Sequence, residues 1–239
     1  MSWYDPNDTG TNPYQDATRS LPALMTKVYV WMTLALAITG LTAFCVAENE
    51  ALVFSLLSSR LAFWVLIIAE FGIVAYLSSR IMQMSFATAG ILFGVYSVLN
   101  GVVLSSLLLV YTLESLTSTF LITAGTFGAM SLIGAVTKRD LGAFGRFLFM
   151  ALIGLIIASI VNIFLASSAL SWGLSIAGVL IFSGLTAYDT QKMKQLFVQY
   201  ASTGDENLMK IALLCSLSLY LDFINLFLYL LRFLGARKN

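Results

Sequence analysis

The sequence predicts an all-helical integral membrane protein with seven transmembrane helices packed around the last one. Three observations support this fold class: 59% of the 239 residues are hydrophobic, only 10% are charged, and the mean hydropathy is +0.89. A helix needs about 20 apolar residues to cross a bilayer. Seven spans therefore nearly exhaust the chain, and no room remains for a separate soluble domain.

The predicted bundle occupies residues 24–235, between two tails. The first 23 residues are polar and contain all three prolines of the chain. A signal peptide has a charged start followed directly by an apolar segment, and the first 23 residues lack this pattern. They are therefore predicted to be a disordered cytoplasmic tail. Residues 236–239 form a short C-terminal tail.

Seven apolar runs, separated by polar or charged residues, predict the spans. Their predicted bounds are 24–47, 61–77, 86–110, 116–136, 147–165, 172–189 and a last run that begins near Leu208. Residues 51–60 fit either an interfacial turn or the start of the second span. The polar run at 191–207 predicts a loop with an amphipathic start between the last two spans.

Lysine and arginine predict the orientation. With a cytoplasmic N-terminus, nine of the 13 basic residues fall on the cytoplasmic side, and four fall on the other side, namely Arg60, Arg232, Arg237 and Lys238. The positive-inside rule therefore favours a cytoplasmic N-terminus and, with an odd number of spans, a C-terminus on the opposite side.

The last span carries one acid near its middle. In the apolar run from Ser216 to Leu234, Asp222 lies where an isolated ionised carboxylate costs several kcal/mol, so such acids usually face a bundle interior or a wet cavity. Helical spacing places Ser218, Asp222, Asn225 and Tyr229 on one stripe. A polar stripe between apolar faces indicates a helix surrounded by others, and we expect this span to be the central one.

Asp189, at the end of the sixth predicted span, is the second acid to which we assign chemistry. Two carboxyl groups held close together on neighbouring helices do not both ionise cheaply, so they share a proton and titrate in coupled steps. When ionised, they repel each other or attract a cation. The alternative is that water and Lys192 satisfy Asp189, while a neighbouring hydroxyl satisfies Asp222. Because the chain has no histidine, a sensor of near-neutral pH would have to be a carboxyl group.

Four other polar side chains extend this prediction. Arg80, at the cytoplasmic end of the second span, is the natural counter-ion for Asp189, although a simple positive-inside flank would look the same. Glu70 has no basic residue within its own span, so we expect it to be protonated or hydrogen-bonded across helices. Asn100 and Asn225 are expected either to line an ion path or to join helices by hydrogen bonds.

Composition also argues against several kinds of site. The net charge is +1 and no basic cluster of the needed size is present, so no nucleic-acid partner is predicted. Cys45 and Cys215 lie in apolar runs without histidine, which predicts buried free thiols and neither a zinc site nor a disulfide framework. No tightly bound cofactor is predicted.

Three motifs resemble the transmembrane Bax-inhibitor-motif family, the Bax inhibitor-1-like proteins. They are SLYLDFINLFLYLLRFLG, FSGLTAYDTQKMK and TKRDLGAFG. The resemblance implies a bundle in which six helices surround the seventh, and a pH-dependent calcium leak channel (in eukaryotes, a suppressor of cell death). It places a di-aspartyl pH sensor at Asp189 and Asp222, which would also bind calcium transiently. It places a closing latch at Arg80 and an acid of the second span at Glu70.

The short tail, the compact loops and the YDTQ motif resemble the bacterial branch of the family, which implies an inner membrane. One departure is the longer loop between the last two spans. Thirty-three residues separate Asp189 from Asp222, which leaves their approach open.

Three functions compete at this stage. The first is a proton-gated calcium leak, whose partners are membrane lipid, calcium ions and protons, closed when the acid pair shares a proton and open when it ionises. The second is a regulator that transports nothing and binds a membrane protease or another channel. The third is an intramembrane aspartyl protease, since Tyr188-Asp189 resembles half of such a site. The second acid lies in LYLDF without the expected GxGD motif, so we predict that the protein is not an enzyme.

Overall fold

The computed structural model describes residues 13–49, 51, 53–55 and 59–238, and this part of the chain folds as seven long α-helices with two single 3₁₀ turns. The helices are α1 Pro13–Ala47, α2 Arg60–Arg80, α3 Phe86–Val110, α4 Leu113–Val136, α5 Gly142–Leu165, α6 Ser168–Gln199 and α7 Asp205–Leu234. Each contains a stretch long and apolar enough to cross a membrane. The predicted seven-helix membrane fold is confirmed.

Hydroxyl side chains mark where four of these helices begin. Ser59, Ser85, Thr112 and Ser167 each accept a hydrogen bond from the backbone N–H three residues further on, at the starts of α2, α3, α4 and α6. Such caps satisfy backbone donors that the first turn of a helix leaves free. Within a bilayer the remaining backbone groups must bond inside the helix, which is why apolar runs of this length become helices.

The last helix, α7, lies at the centre of the bundle. Of its apolar stretch 72% is buried, compared with 44% for α6 and 11% for α2 and for α5. It packs against α1, α3, α4 and α6, whereas α2 packs against α3 and α5 packs against α6. The predicted central position of the last span is therefore confirmed, and α2 and α5 are outer helices.

Two helix bounds differ from the prediction by ten residues or more, while the others differ by no more than five. The helix α1 begins at Pro13, well before the predicted start of the first span at residue 24, while residues 1–12 of the predicted tail lie outside the described residues. Proline is well tolerated at the first helical position, because its missing N–H is not needed there. The helix α6 continues ten residues past Asp189 to Gln199, and only 200–204 separate it from α7. The extended loop predicted there is wrong, because the amphipathic run buries Met193 and Phe197 and so continues the helix.

The two cysteines also differ from each other. Cys215 on α7 is buried, as predicted, but Cys45 on α1 is exposed at the outer surface of the bundle. The prediction for Cys45 is wrong because an apolar run shows that a helix lies in lipid without showing which of its faces points inward.

The C-terminal residues are attached to the connection between α3 and α4. The backbone N–H of Lys238 donates to the carbonyl of Val110 at 2.9 Å, and that of Thr112 donates to the carbonyl of Ala236 at 3.2 Å. The Lys238 ammonium caps α3 through the carbonyl of Leu108, at 2.8 Å. The ends of α3 and α7 therefore lie on the same side of the bundle, as an odd number of spans requires.

Candidate functional site

A cavity of about 520 Å³ lies between α7 and the helices α2, α3, α5 and α6. All four residues of the predicted polar stripe on α7 line it: Ser218, Asp222, Asn225 and Tyr229. The other helices contribute three more of the predicted site residues, which are Glu70, Asn100 and Asp189. The structure thus brings the acids and amides predicted from the sequence into the wall of one space.

The carboxyl groups of this cavity lack hydrogen-bond partners. Glu70 Oε1, Asp189 Oδ1 and Asp222 Oδ2 are each buried without one. The Asp222 side chain is only 5% exposed. Buried polar atoms are hydrogen-bonded in the great majority of cases, because an unsatisfied one costs about 1–3 kcal/mol. Three such atoms around one cavity make it the candidate site for a ligand, an ion or a proton.

The two aspartates line the same cavity from neighbouring helices. Asp189 lies ten residues before the end of α6, and Asp222 lies 17 residues after the start of α7. Within the described residues no hydrogen bond joins the two carboxyl groups, and no hydroxyl reaches the buried Oδ2 of Asp222.

Basic side chains lie near the site but do not pair with its acids. The Lys192 ammonium lies 5.8 Å from the centroid of the Tyr188 ring, in a cation–π arrangement. Arg80 donates a hydrogen bond to Gln83 and lines a separate, smaller cavity at the end of α2. Over the part of the chain that the structure describes, Asp189 has no salt bridge, so the structure does not bring Arg80 to it. The latch assigned to Arg80 stays a prediction.

The two amides of the cavity bond within their own helices. Asn100 Nδ2 donates to the Tyr96 hydroxyl at 3.2 Å, and Asn225 Nδ2 donates to the carbonyl of Leu221 at 2.8 Å. These bonds do not join helices. Both amides therefore remain at the cavity wall, where their carbonyl oxygens are candidates for weak cation contacts.

Sequence reasoning missed the residues that hold Asp189 in place. The side chain of Gln191 accepts from the N–H of Leu141 at 2.8 Å and donates to the carbonyl of Arg139 at 2.9 Å. The Tyr188 ring occupies the space that a Cβ on Gly145 would need. Two of the three sequence motifs therefore contact each other and fix the rotation of α6, and no spacing within either motif indicates this contact.

Lys194 adds a second attachment of α6, to the end of α4. Its ammonium donates to the carbonyl of Ala135 in the last turn of α4, at 2.6 Å. A cation at this position also interacts favourably with the negative end of the helix dipole.

The opposite side of α7 carries polar groups that are paired. Ser216 Oγ lies 3.0 Å from the carbonyl of Val28 on α1, and the Tyr220 hydroxyl lies 2.7 Å from Thr39 Oγ1. Thr39 Oγ1 in turn lies 2.9 Å from the carbonyl of Ser97 on α3. We call this side, toward α1, α3 and α4, the packed face of α7, and the side lined by Asp222 its cavity face.

No ready-made metal centre is present among the described residues. No three His, Cys, Asp or Glu side chains lie close enough together to hold an ion. Transient calcium binding by Asp189 and Asp222 is untested by this geometry and remains a prediction.

Comparison with known proteins identifies the family. Residues 21–239 match the family model described as Inhibitor of apoptosis-promoting Bax1. The chain belongs to this Bax inhibitor-1-like family. The resemblance seen in the three motifs is thereby confirmed, and it extends over nearly the whole chain.

Bacterial relatives match the chain over almost its full length. The Inner membrane protein YbhL of Escherichia coli (strain K12) is 49% identical over 218 residues, which are 91% of this chain and 93% of the relative. The uncharacterized protein RP147 of Rickettsia prowazekii is 44% identical over 231 residues, 97% of each chain. Neither name states an enzymatic activity. Like its family, this protein is an integral membrane protein in contact with lipid.

Proposed function

We propose that this protein is a pH-sensitive calcium leak channel of a bacterial inner membrane, with Asp189 and Asp222 as its pH sensor. The observation that supports the proposal most directly is the cavity beside α7, which is lined by three acids that each have a buried oxygen without a hydrogen-bond partner. The E. coli relative's name, Inner membrane protein, supports the proposed location.

Protonation would control the passage through the charge of the acid pair. When both carboxyl groups are ionised, they repel each other and attract cations into the cavity. When they share a proton, the pair carries one negative charge instead of two, so the attraction for cations weakens and the shared proton draws α6 and α7 together. Calcium prefers six to eight oxygen ligands, and the few acids and amides here would hold it only weakly. Weak binding suits a leak, because a permeant ion must leave as readily as it enters.

Arg80 and Glu70 would connect this sensor to α2. The two side chains lie on the same helix, Glu70 in the cavity wall and Arg80 at the helix end. We propose that Arg80 acts as a latch that reaches Asp189 in the closed state, after a movement of the end of α2. Asn100 and Asn225 would line the ion path.

Flux measurements on purified protein test this function. Liposomes that contain the protein and a calcium-sensitive dye should show calcium entry that increases as the pH rises through neutrality. Asp189→Asn and Asp222→Asn should each remove this pH dependence. Asp205→Asn, an exposed acid in the first turn of α7, is the matched control and should behave as the wild type.

The alternative function predicts a different result. A regulator that binds a membrane protease or another channel should conduct no calcium at any pH when it is pure. Flux that is the same in the wild type and in both cavity aspartate variants would also rule out the proposed sensor.

The proposed orientation has its own test. An alkaline phosphatase domain fused after Lys238 should be active, since this enzyme folds only outside the cytoplasm, whereas a fusion within the loop at 138–140 should be inactive.

A further inference from the structure

The cavity combines acidic groups with walls that are mostly hydrocarbon. Besides the acids, amides, Ser218 and two tyrosines, the residues that line it are apolar. They come from the outer helices as well as the central one, and examples are Phe71, Val74, Phe149, Leu152, Ile156 and Leu185. A volume of about 520 Å³ lies within the range of about 300–1,000 Å³ that is typical of small-molecule sites, which are likewise apolar with a few placed polar groups.

The cavity is open sideways, between α2 and α5. Phe71 on α2 is 73% exposed and Ile156 on α5 is 51% exposed, although both line the cavity. Each of these helices packs against its sequence neighbour in the bundle, and neither packs closely against α7 in the described part of the chain. Phe71 and Ile156 both lie well inside their spans. The opening therefore faces the hydrocarbon layer of the membrane.

We infer that this cavity is a binding site for lipophilic amines, that is, single-chain alkylammonium ions which enter from the bilayer between α2 and α5. The ammonium group would lie at Asp222, whose buried Oδ2 has no partner. The alkyl chain would lie along the apolar side chains of α2 and α5. An ammonium is a strong N–H donor, and the unpartnered Asp222 Oδ2 would accept from it in a charge-assisted hydrogen bond.

The same geometry favours an organic cation over a tightly bound metal ion. A calcium ion needs oxygen ligands on all sides at about 2.3–2.6 Å. The described acids of the cavity are too far apart to form such a group, and the intervening wall is hydrocarbon. An alkylammonium needs acid at one end only and gains from apolar walls along the rest of its length.

Binding of tritiated dodecylamine to the protein in lipid nanodiscs tests the inference by scintillation proximity. An alkylamine is cationic at neutral pH, as a lysine side chain is. Unlabelled dodecylamine should displace the label, while dodecan-1-ol, which has the same chain without the charge, should not. Asp222→Asn should weaken binding about tenfold or more, since it removes a charge-assisted hydrogen bond. Asp205→Asn should bind as the wild type does.

A second variant keeps the test decisive if Asp222→Asn does not fold. Leu152→Trp on α5 fills the cavity from its apolar wall and leaves every acid in place, and it should abolish displaceable binding. Equal displacement by dodecan-1-ol would overturn the inference, as would wild-type binding by Leu152→Trp. Binding is measured without ion flux, so failure of the calcium leak would leave this inference standing, and its own failure would leave the leak untouched.

Discussion

The two faces of α7 differ in whether their buried polar side chains have hydrogen-bond partners. On the packed face, Ser216 and Tyr220 are buried and bonded to α1. On the cavity face, Asp222 is also buried but leaves a carboxyl oxygen unpaired. Polar groups that are fully paired stabilise one helix arrangement, while unpaired ones cost stability and persist where they serve a function. The contrast separates residues that hold this bundle together from residues that we expect to work in it.

The largest effect should come from overfilling the packed part of the bundle. A Cβ on Gly134 of α4 would lie 2.9 Å from the Cα of Ala187 on α6, against backbone that cannot move aside. Gly134→Val should therefore lower the free energy of unfolding by about 3 kcal/mol, measured by SDS titration in mixed micelles. Gly125→Val on the same helix meets open space and is the matched control. Equal losses in the two variants would show that α4 and α6 are not in close contact.

A substitution on the cavity face should raise the free energy of unfolding, whereas the substitution in the packed part lowers it. Asp222→Leu removes an unpaired buried carboxyl group and keeps a similar volume, so the free energy of unfolding should rise by about 1 kcal/mol. In liposomes the same variant should lose the increase in calcium flux with pH, a change of about tenfold or more at high pH. A clear loss of stability would instead make Asp222 a structural residue.

Removal of the paired Tyr220 hydroxyl should lower stability and leave the pH response unchanged, which is the reverse of the result expected for Asp222. Tyr220→Phe leaves Thr39 without its partner on α7 and should lower the free energy of unfolding by about 1 kcal/mol. The pH dependence of calcium flux should be unchanged. Tyr76→Phe removes a hydroxyl from an exposed tyrosine on α2 and should change neither quantity. An altered pH response in Tyr220→Phe would place the sensor on both faces of the helix.

The smallest effect concerns the contact that orients Asp189. Gln191→Ala removes two hydrogen bonds to the α4–α5 connection, partly open to solvent, and should cost about 0.5 kcal/mol of unfolding free energy. The midpoint of the flux–pH curve should shift more than in Gln195→Ala, an exposed residue on the same helix. Identical curves for the two variants would show that this contact does not position the sensor.

Much of the fold could be predicted because hydropathy and helical period are properties of single segments. The bounds of α3, Phe86–Val110, agree with the sequence prediction. The prediction failed at α6, because charged residues after Asp189 looked like a loop, while their helical spacing buries Met193 and Phe197 against the bundle. Where a helix continues beyond its apolar run, its end is determined by packing against the bundle. Hydropathy alone does not show this packing.

The candidate site was predictable in its residues but not in its shape. Buried charge is costly, so Asp222 and Glu70 stood out in their spans without any structure. The sideways opening depends on α2 and α5 standing apart from α7, which is a property of three helices together. The distance of Arg80 from Asp189 likewise depends on how α2 ends and on its bond to Gln83.

The attachment of the C-terminus limits how the bundle deforms. Sliding α7 along its axis would break the backbone pairing of Ala236 and Lys238 with the connection between α3 and α4, together with the Ser216 bond to α1. These contacts therefore hold the central helix in place along its axis. Conformational change of low energetic cost is therefore expected in α2 and α5, which bury the smallest share of their spans and pack mainly against one neighbouring helix each.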